Sequence, residues 1–183
     1  MDYEACIGLS RLKIRELSKF IRNIFRIKTL NFPVLKFLNI LETKYEQFLY
    51  FAIEPDDYFE NNVMAYLEKE EYMYCIHIRE SVYIGAVDGK GDCLGFINHE
   101  ICHFILIHIL GIGPSNPNPT YARTVKTNAI PKYKSMEWQA KALCGELMIP
   151  YERCKNLTFK QIVYRTGSSK EQVNYFLDKV IKK

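Results

Sequence analysis

A chain of 183 residues with 48% hydrophobic and 14% aromatic residues is long and apolar enough to build one packed domain. Its net charge of +4 is small, and its basic residues are interleaved with acidic ones except over residues 11–28 and 179–183, which argues against a nucleic-acid-binding surface. Six cysteines are scattered without a C-x-x-C pair, which argues for reduced thiols, mostly core or semi-buried, over a disulfide framework.

The opening Met1-Asp2-Tyr3-Glu4 lacks the basic region and apolar stretch of a secretory signal. The longest apolar run, residues 101–112, is interrupted by His103 and His108 and is too short to span a bilayer, so a soluble, cytoplasmic protein with no membrane partner is expected. Residues 10–28 read as an amphipathic helix with Leu12, Leu17, Phe20, Ile21, Ile24 and Phe25 on its apolar side and a solvated basic side. Asn31-Phe32-Pro33 opens a second helix through Leu41. Residues 45–53 are rich in aromatic and β-favouring types and predict a strand, and residues 55–69 a helix. Two more strands, residues 72–79 and 82–87, complete a three-stranded sheet. A glycine-bearing turn follows, and Asp92 is the expected N-cap of a helix ending at Gly111. Residues 111–134 form a long irregular stretch rich in proline, a candidate lid or substrate wall. A further helix runs from Ser135 to Pro150, and two short helices follow, with capping signals at Thr158/Gln161 and Ser168/Glu171 around Gly167.

His99, Glu100 and His103 spell H-E-I-C-H. On an α-helix, histidines four residues apart share a face and can ligate one zinc ion, while the glutamate between them reaches the water such an ion holds. His108 falls on the opposite side of the helical wheel and reads as a packed or surface histidine. The metzincin pattern would need Gly at 106 and His at 109, where this chain has Leu106 and Ile109, so that class is excluded. A catalytic zinc takes three protein ligands, and three residues compete for the third position. His77 sits on an expected strand, whereas Glu137 and Glu146 sit on one helix near opposite faces. Glu137 shares its side with Ala140, Cys144, Leu147 and Met148, and an inward carboxylate needs a reason that a metal supplies; its first-turn position also fits a charge favoured by the helix dipole. Glu146 lies with Gln139 on what reads as the polar side. Cys102 and Cys144 flank the motif and read as small buried residues, outside the ligand set.

The segment from Glu137 to Pro150, EWQAKALCGELMIP, following the H-E-I-C-H helix, resembles the ImmA/IrrE metallopeptidases. In that family an H-E-x-x-H helix is followed by an E-x-x-A helix with a Leu-Met-Pro-like end. The resemblance assigns the third zinc ligand to Glu137 and spans about residues 32–180, including Ser81-Val82-Tyr83-Ile84-Gly85-Ala86 and the terminal helix pair. Cys102 stands where the family usually has glycine, and Asp92-Cys93-Leu94-Gly95-Phe96 replaces its more basic approach to the motif. The separate DNA-binding helix-turn-helix domain of some members has no counterpart in the resemblance; family members act on repressors of mobile elements or on stress regulators, and the chain looks like the short, prophage-type ones.

The expected fold is α+β and zincin-like. A small sheet of about three strands packs on the H-E-x-x-H helix, further helices lie at both ends, and residues 1–183 form one metallopeptidase domain with residues 155–183 docked on it as a helix pair. The expected activity is zinc-dependent proteolysis, with Zn2+ on His99, His103 and Glu137 and with Glu100 as the general base. Tyr121, Arg123, Tyr133 and His108 are equal candidates for stabilising the oxyanion. The expected substrate is a helix-turn-helix transcriptional repressor, added as an extended segment to an edge offered by residues 72–79 and 82–87. The rival reading is a non-catalytic, zinc-stabilised interaction module such as a toxin–antitoxin component. The terminal helix pair reads as part of the fold and not as a DNA-binding element.

Overall fold

The computed structural model describes residues 2–60, 62–115 and 130–181, which form an α+β arrangement of eight α-helices and a three-stranded mixed sheet. Helix α1 (Arg11–Ile24) starts at Ser10, whose hydroxyl oxygen accepts the Lys13 N–H. Its inward face carries Ile14, Ser18, Ile21 and Arg22, whereas Leu12, Phe20 and Ile24 of the expected apolar stripe are more than half exposed. The basic side is therefore not wholly solvated. Arg22 is buried because its guanidinium donates to the carbonyls of Leu147 and Leu30, and burial, aided by Arg153, lowers its pKa to about 10. Helix α2 (Val34–Lys44) follows Pro33 as read from the sequence and buries Val34, Phe37, Leu38 and Leu41.

The sheet has three strands, but not those expected. Strand β1 (Leu49–Glu54) pairs in parallel with β3 (Met73–Arg79), and β2 (Ala65–Glu70) pairs antiparallel with β3 in the order β1-β3-β2. The helix expected over residues 55–69 is a single 3-10 turn, Asp56–Tyr58, followed by β2. Ala, Leu, Glu and Lys in Ala65–Glu70 favour a helix locally, and pairing along the whole of β3 overrides that preference. The strand expected over residues 82–87 is instead helix α3 (Glu80–Val87). It ends at Gly89 in the left-handed region (φ 79°), where Lys90 N–H returns to the Gly85 carbonyl.

Helix α4 (Gly91–Phe104) carries the motif and continues into a π-helical turn, Ile105–Ile109. It begins one residue before Asp92, whose carboxylate accepts the N–H of Cys93, and the chain leaves the turn near Gly111 with φ 65°. Ile97, Ile101 and Phe104 of α4 join Tyr74, Ile76 and Ile78 from the inner face of β3 in one core cluster. Helix α5 (Met136–Met148) crosses α4, and Asn98 of α4 donates from Nδ2 to the Cys144 sulfur at 3.3 Å.

Three short helices end the chain: α6 (Tyr151–Cys154), α7 (Phe159–Thr166) and α8 (Lys170–Tyr175), the last running into a π-helical turn. The capping box at Thr158 and Gln161 is present. The second box is made by Ser169 and Gln172, one residue beyond the expected Ser168 and Glu171. Cys154, Ile162, Val173 and Phe176 belong to the same core cluster as α4. A Cβ on Gly91 would run into the backbone of Gly167, Ser168 and Ser169, so glycine is what lets this turn approach the start of α4. Among the described residues no helix is long and apolar enough to cross a membrane.

Candidate metal centre

The helical spacing of the motif puts the two imidazoles on one face of α4, with Nε2 of His99 and Nε2 of His103 3.1 Å apart. Glu137, in the first turn of α5, faces them with one oxygen to each ring: Oε1 is 3.3 Å from His99 Nε2 and Oε2 is 3.2 Å from His103 Nε2. The three neighbouring pairs of donor atoms, two of them made by different oxygens of Glu137, lie 3.1 to 3.3 Å apart, close to the edge of a zinc tetrahedron, about 3.3 Å for bonds of ~2.0 Å, and one donor atom from each residue falls within 4.8 Å of the others. Two imidazoles and a carboxylate are also the donor chemistry of catalytic zinc sites, so the residues fit the ion.

The electrostatics follow from the same contacts. Glu137 is held far below the usual carboxylate range by the His103 and His99 rings, with a further contribution from Lys141, whose Nζ lies 3.0 Å from Oε1. Burial alone would lower the His99 pKa, but its hydrogen bond to the Glu137 carboxylate and the charge of Glu100 raise it overall. Glu100 is not in the ligand trio. Its Oε2 accepts the N–H of Leu67 on β2 at 3.0 Å, and burial pushes its pKa upward against the pull of His99 and His103. A carboxylate with a raised pKa holds a proton more readily than an exposed one.

The start of α5 is fixed from a distant part of the chain. Ser135 caps the helix, with its Oγ accepting the Trp138 N–H at 2.9 Å. Asp2 accepts the Ser135 hydroxyl at 2.7 Å and the Glu137 N–H at 3.1 Å. No sequence signal pointed to Asp2, because 135 residues separate it from Glu137. Lys141 was legible in principle as the i+4 partner of Glu137.

The other sequence candidates lie elsewhere. Glu146 is not on a polar side: α1 covers that face, leaving Glu146 only 3% exposed and paired with Arg15 Nε at 3.2 Å, while Gln139 is fully buried. Glu137 is the more open of the two, with its side chain 35% exposed at the lip of the helix. His77 is buried on the face of β3 that α4 does not cover. His108 stacks on Phe104 with centroids 5.0 Å apart and also meets Phe48, Tyr74 and Tyr45, a packed aromatic position. Tyr133 is half exposed and lies over Gly8, and Tyr121 and Arg123 fall outside the described residues. Cys102 and Cys144 are buried free thiols, and burial together with Cys144 drives the Cys102 pKa well upward.

No protein-family model, curated protein or solved structure matches the chain.

Proposed function

We infer that the chain is a zinc metallopeptidase of the ImmA/IrrE kind, zincin-like in fold, that cleaves a regulatory protein such as a helix-turn-helix repressor. The observation that carries this reading is the convergence of His99 Nε2, His103 Nε2 and the Glu137 carboxylate, with one donor atom from each within 4.8 Å of the others, and with the separate carboxylate of Glu100 on the same helix. A zinc ion held there supplies Lewis acidity, polarising the scissile carbonyl and making water acidic enough to attack near neutral pH.

The chain's own residues supply the rest. Glu100 accepts the proton of the attacking water and returns it to the leaving amine, a role suited to its raised pKa. The edge expected to receive the substrate is corrected by the topology, since β3 is the central strand and residues 82–87 are helical. Strand β2 takes that role. The Leu67 N–H points away from β3 to Glu100, so the backbone groups of Ala65, Leu67 and Lys69 face the free side of the sheet, next to the motif. An extended peptide laid along them passes the Glu100 carboxylate. Such a peptide comes from a flexible linker or exposed loop, not from packed recognition helices.

The test is metal analysis and co-expression with a candidate repressor, followed by mass spectrometry of the fragments. The reading expects one zinc at this site, lost in His99→Ala, His103→Ala and Glu137→Ala, and a cut in a repressor linker. A zinc-loaded chain that binds the repressor tightly and leaves it intact establishes the interaction module instead.

A further inference from the structure

The sheet face turned away from α4 carries a second constellation, independent of the first. Alternation along β3 sends Tyr74, Ile76 and Ile78 into the core and Cys75, His77 and Arg79 to the other side. On that side Tyr66 of β2 lies opposite His77, and Glu68 lies opposite Cys75. His77 is 6% exposed and stacks on Tyr66, with centroids 4.6 Å apart and planes 16° apart. Neither of its ring nitrogens has a hydrogen-bond partner. Buried polar atoms are rarely left unpaired, so an orphaned imidazole calls for an explanation.

The carboxylates around it supply one. Glu68 Oε2 lies 3.3 Å from His77 Nε2 without the alignment of a hydrogen bond, the separation of two donors on one tetrahedral ion with bonds of ~2.0 Å. Donor atoms of Glu68, Glu70 and His77 all fall within 4.8 Å of one another. Around them, Tyr50 donates its hydroxyl to Glu70 Oε2 at 2.6 Å, and Glu54 Oε1 lies 3.7 Å from His77 Nδ1. The hydroxyl on Glu70 is the kind of outer hydrogen bond that orients a ligating carboxylate, and Glu54 is the carboxylate nearest the far nitrogen.

We propose that His77 Nε2, Glu68 and Glu70 form a second divalent-metal site, selective for zinc-like ions that accept both imidazole and carboxylate donors. Glu68 and Glu70 are exposed and His77 is buried, so the ion sits at the surface and exchanges more readily than one held between α4 and α5. Because its ligands come from β2 and β3, it staples the edge strand to the centre of the sheet. The opposing account is that Glu54 and Glu68 flank His77 with no metal.

The test adds Zn2+ to the full chain carrying His99→Ala and His103→Ala, which separates this site from the motif. Zinc stoichiometry is read by competition with a chromophoric chelator, and the ring nitrogens of His77 by NMR. One zinc per chain is expected, with the Nε2 resonance displaced on binding. Glu68→Gln with Glu70→Gln, both at exposed positions, should abolish the zinc and the displacement together. The same pair of substitutions in the otherwise wild-type chain should lower its stoichiometry by one. No binding, binding that leaves the His77 ring unmoved, or stoichiometry unchanged by the paired substitution overturns the site.

Discussion

Glu100 Oε2 accepts the Leu67 N–H at 3.0 Å, so the carboxylate of the motif helix is held by the edge strand of the sheet. The contact fixes where the carboxylate points while leaving its other oxygen for a water proton. Glu100→Gln keeps an oxygen for Leu67 and loses the base. Zinc content and melting temperature should stay near wild type, and repressor cleavage should fall by about 10²- to 10⁴-fold. Cleavage at the wild-type rate would remove Glu100 from the mechanism.

Asp2 acts through Glu137 by accepting its N–H and the Ser135 hydroxyl. Its loss should fray the first turn of α5 and displace the carboxylate facing the histidines. For Asp2→Ala we expect zinc affinity to weaken by about 10- to 100-fold, in the range of outer-sphere ligand supports, and stability to fall by about 1 kcal/mol. Asp2→Asn should restore part of both. Unchanged zinc affinity in a folded Asp2→Ala chain would make the contact merely structural.

Arg15 and Glu146 join α1 to α5 in a buried pair at 3.2 Å. Burial raises the Glu146 pKa above its ordinary 4.5, and Arg15 pulls it partly back. The sign follows from linkage: a folded state that holds the proton more tightly than the unfolded one loses stability as pH rises from 4.5 through the raised value. Arg15→Met should move that loss to higher pH and cost about 3 kcal/mol near neutrality by stranding the carboxylate. Arg15→Met with Glu146→Gln should recover most of it and flatten the profile. Melting curves from about pH 4 to about pH 8 read both effects, and parallel profiles in all chains would show that Glu146 does not titrate in this range.

Gly91 and Gly95 lie on the side of α4 that meets the terminal helices, and they differ in what a methyl group would strike. At Gly91 it meets the backbone of residues 167–169, which cannot yield, whereas at Gly95 it meets the side-chain amide of Gln172, which caps α8 through its oxygen. Gly91→Ala should destabilise by about 1 to 3 kcal/mol through overpacking. Gly95→Ala should cost less than Gly91→Ala, since a helix-propensity gain of up to about 1 kcal/mol offsets the displacement of the Gln172 cap. Urea unfolding of the two chains should order them this way, and equal costs would mean that the turn at Gly167 is not docked as described.

The motif pair was the most legible part of the chain because it is local: four residues of helix bring His99 and His103 together, and Glu137 opens a helix whose cap, Ser135, is visible in the sequence. The cap at Thr158 and the proline start of α2 were legible for the same reason. What was missed depends on distant pairing. Residues 65–70 carry helix-favouring side chains and become strand because β3 pairs with them, while residues 82–87 look β-favouring and become helical. Glu146 looked solvated because nothing local announces that α1 covers it, and Asp2 was invisible because its partners lie more than 130 residues away.

The backbone of Lys69 offers a way to test the substrate path without touching the metal site. Two residues from Leu67 on the same strand, it shares the side of β2 that faces away from β3, and its side chain is exposed. Proline is tolerated on an edge strand where the lost N–H faces outward, so Lys69→Pro should fold and keep zinc at the motif. It removes one donor to a peptide lying along β2, worth about 1 kcal/mol, and its ring obstructs the approach. Repressor cleavage should therefore fall at least about tenfold, mainly through KM, whereas Lys69→Ala, which keeps the N–H, should cleave near the wild-type rate. If Lys69→Pro binds zinc and cuts the repressor as well as Lys69→Ala does, the substrate does not run along this edge.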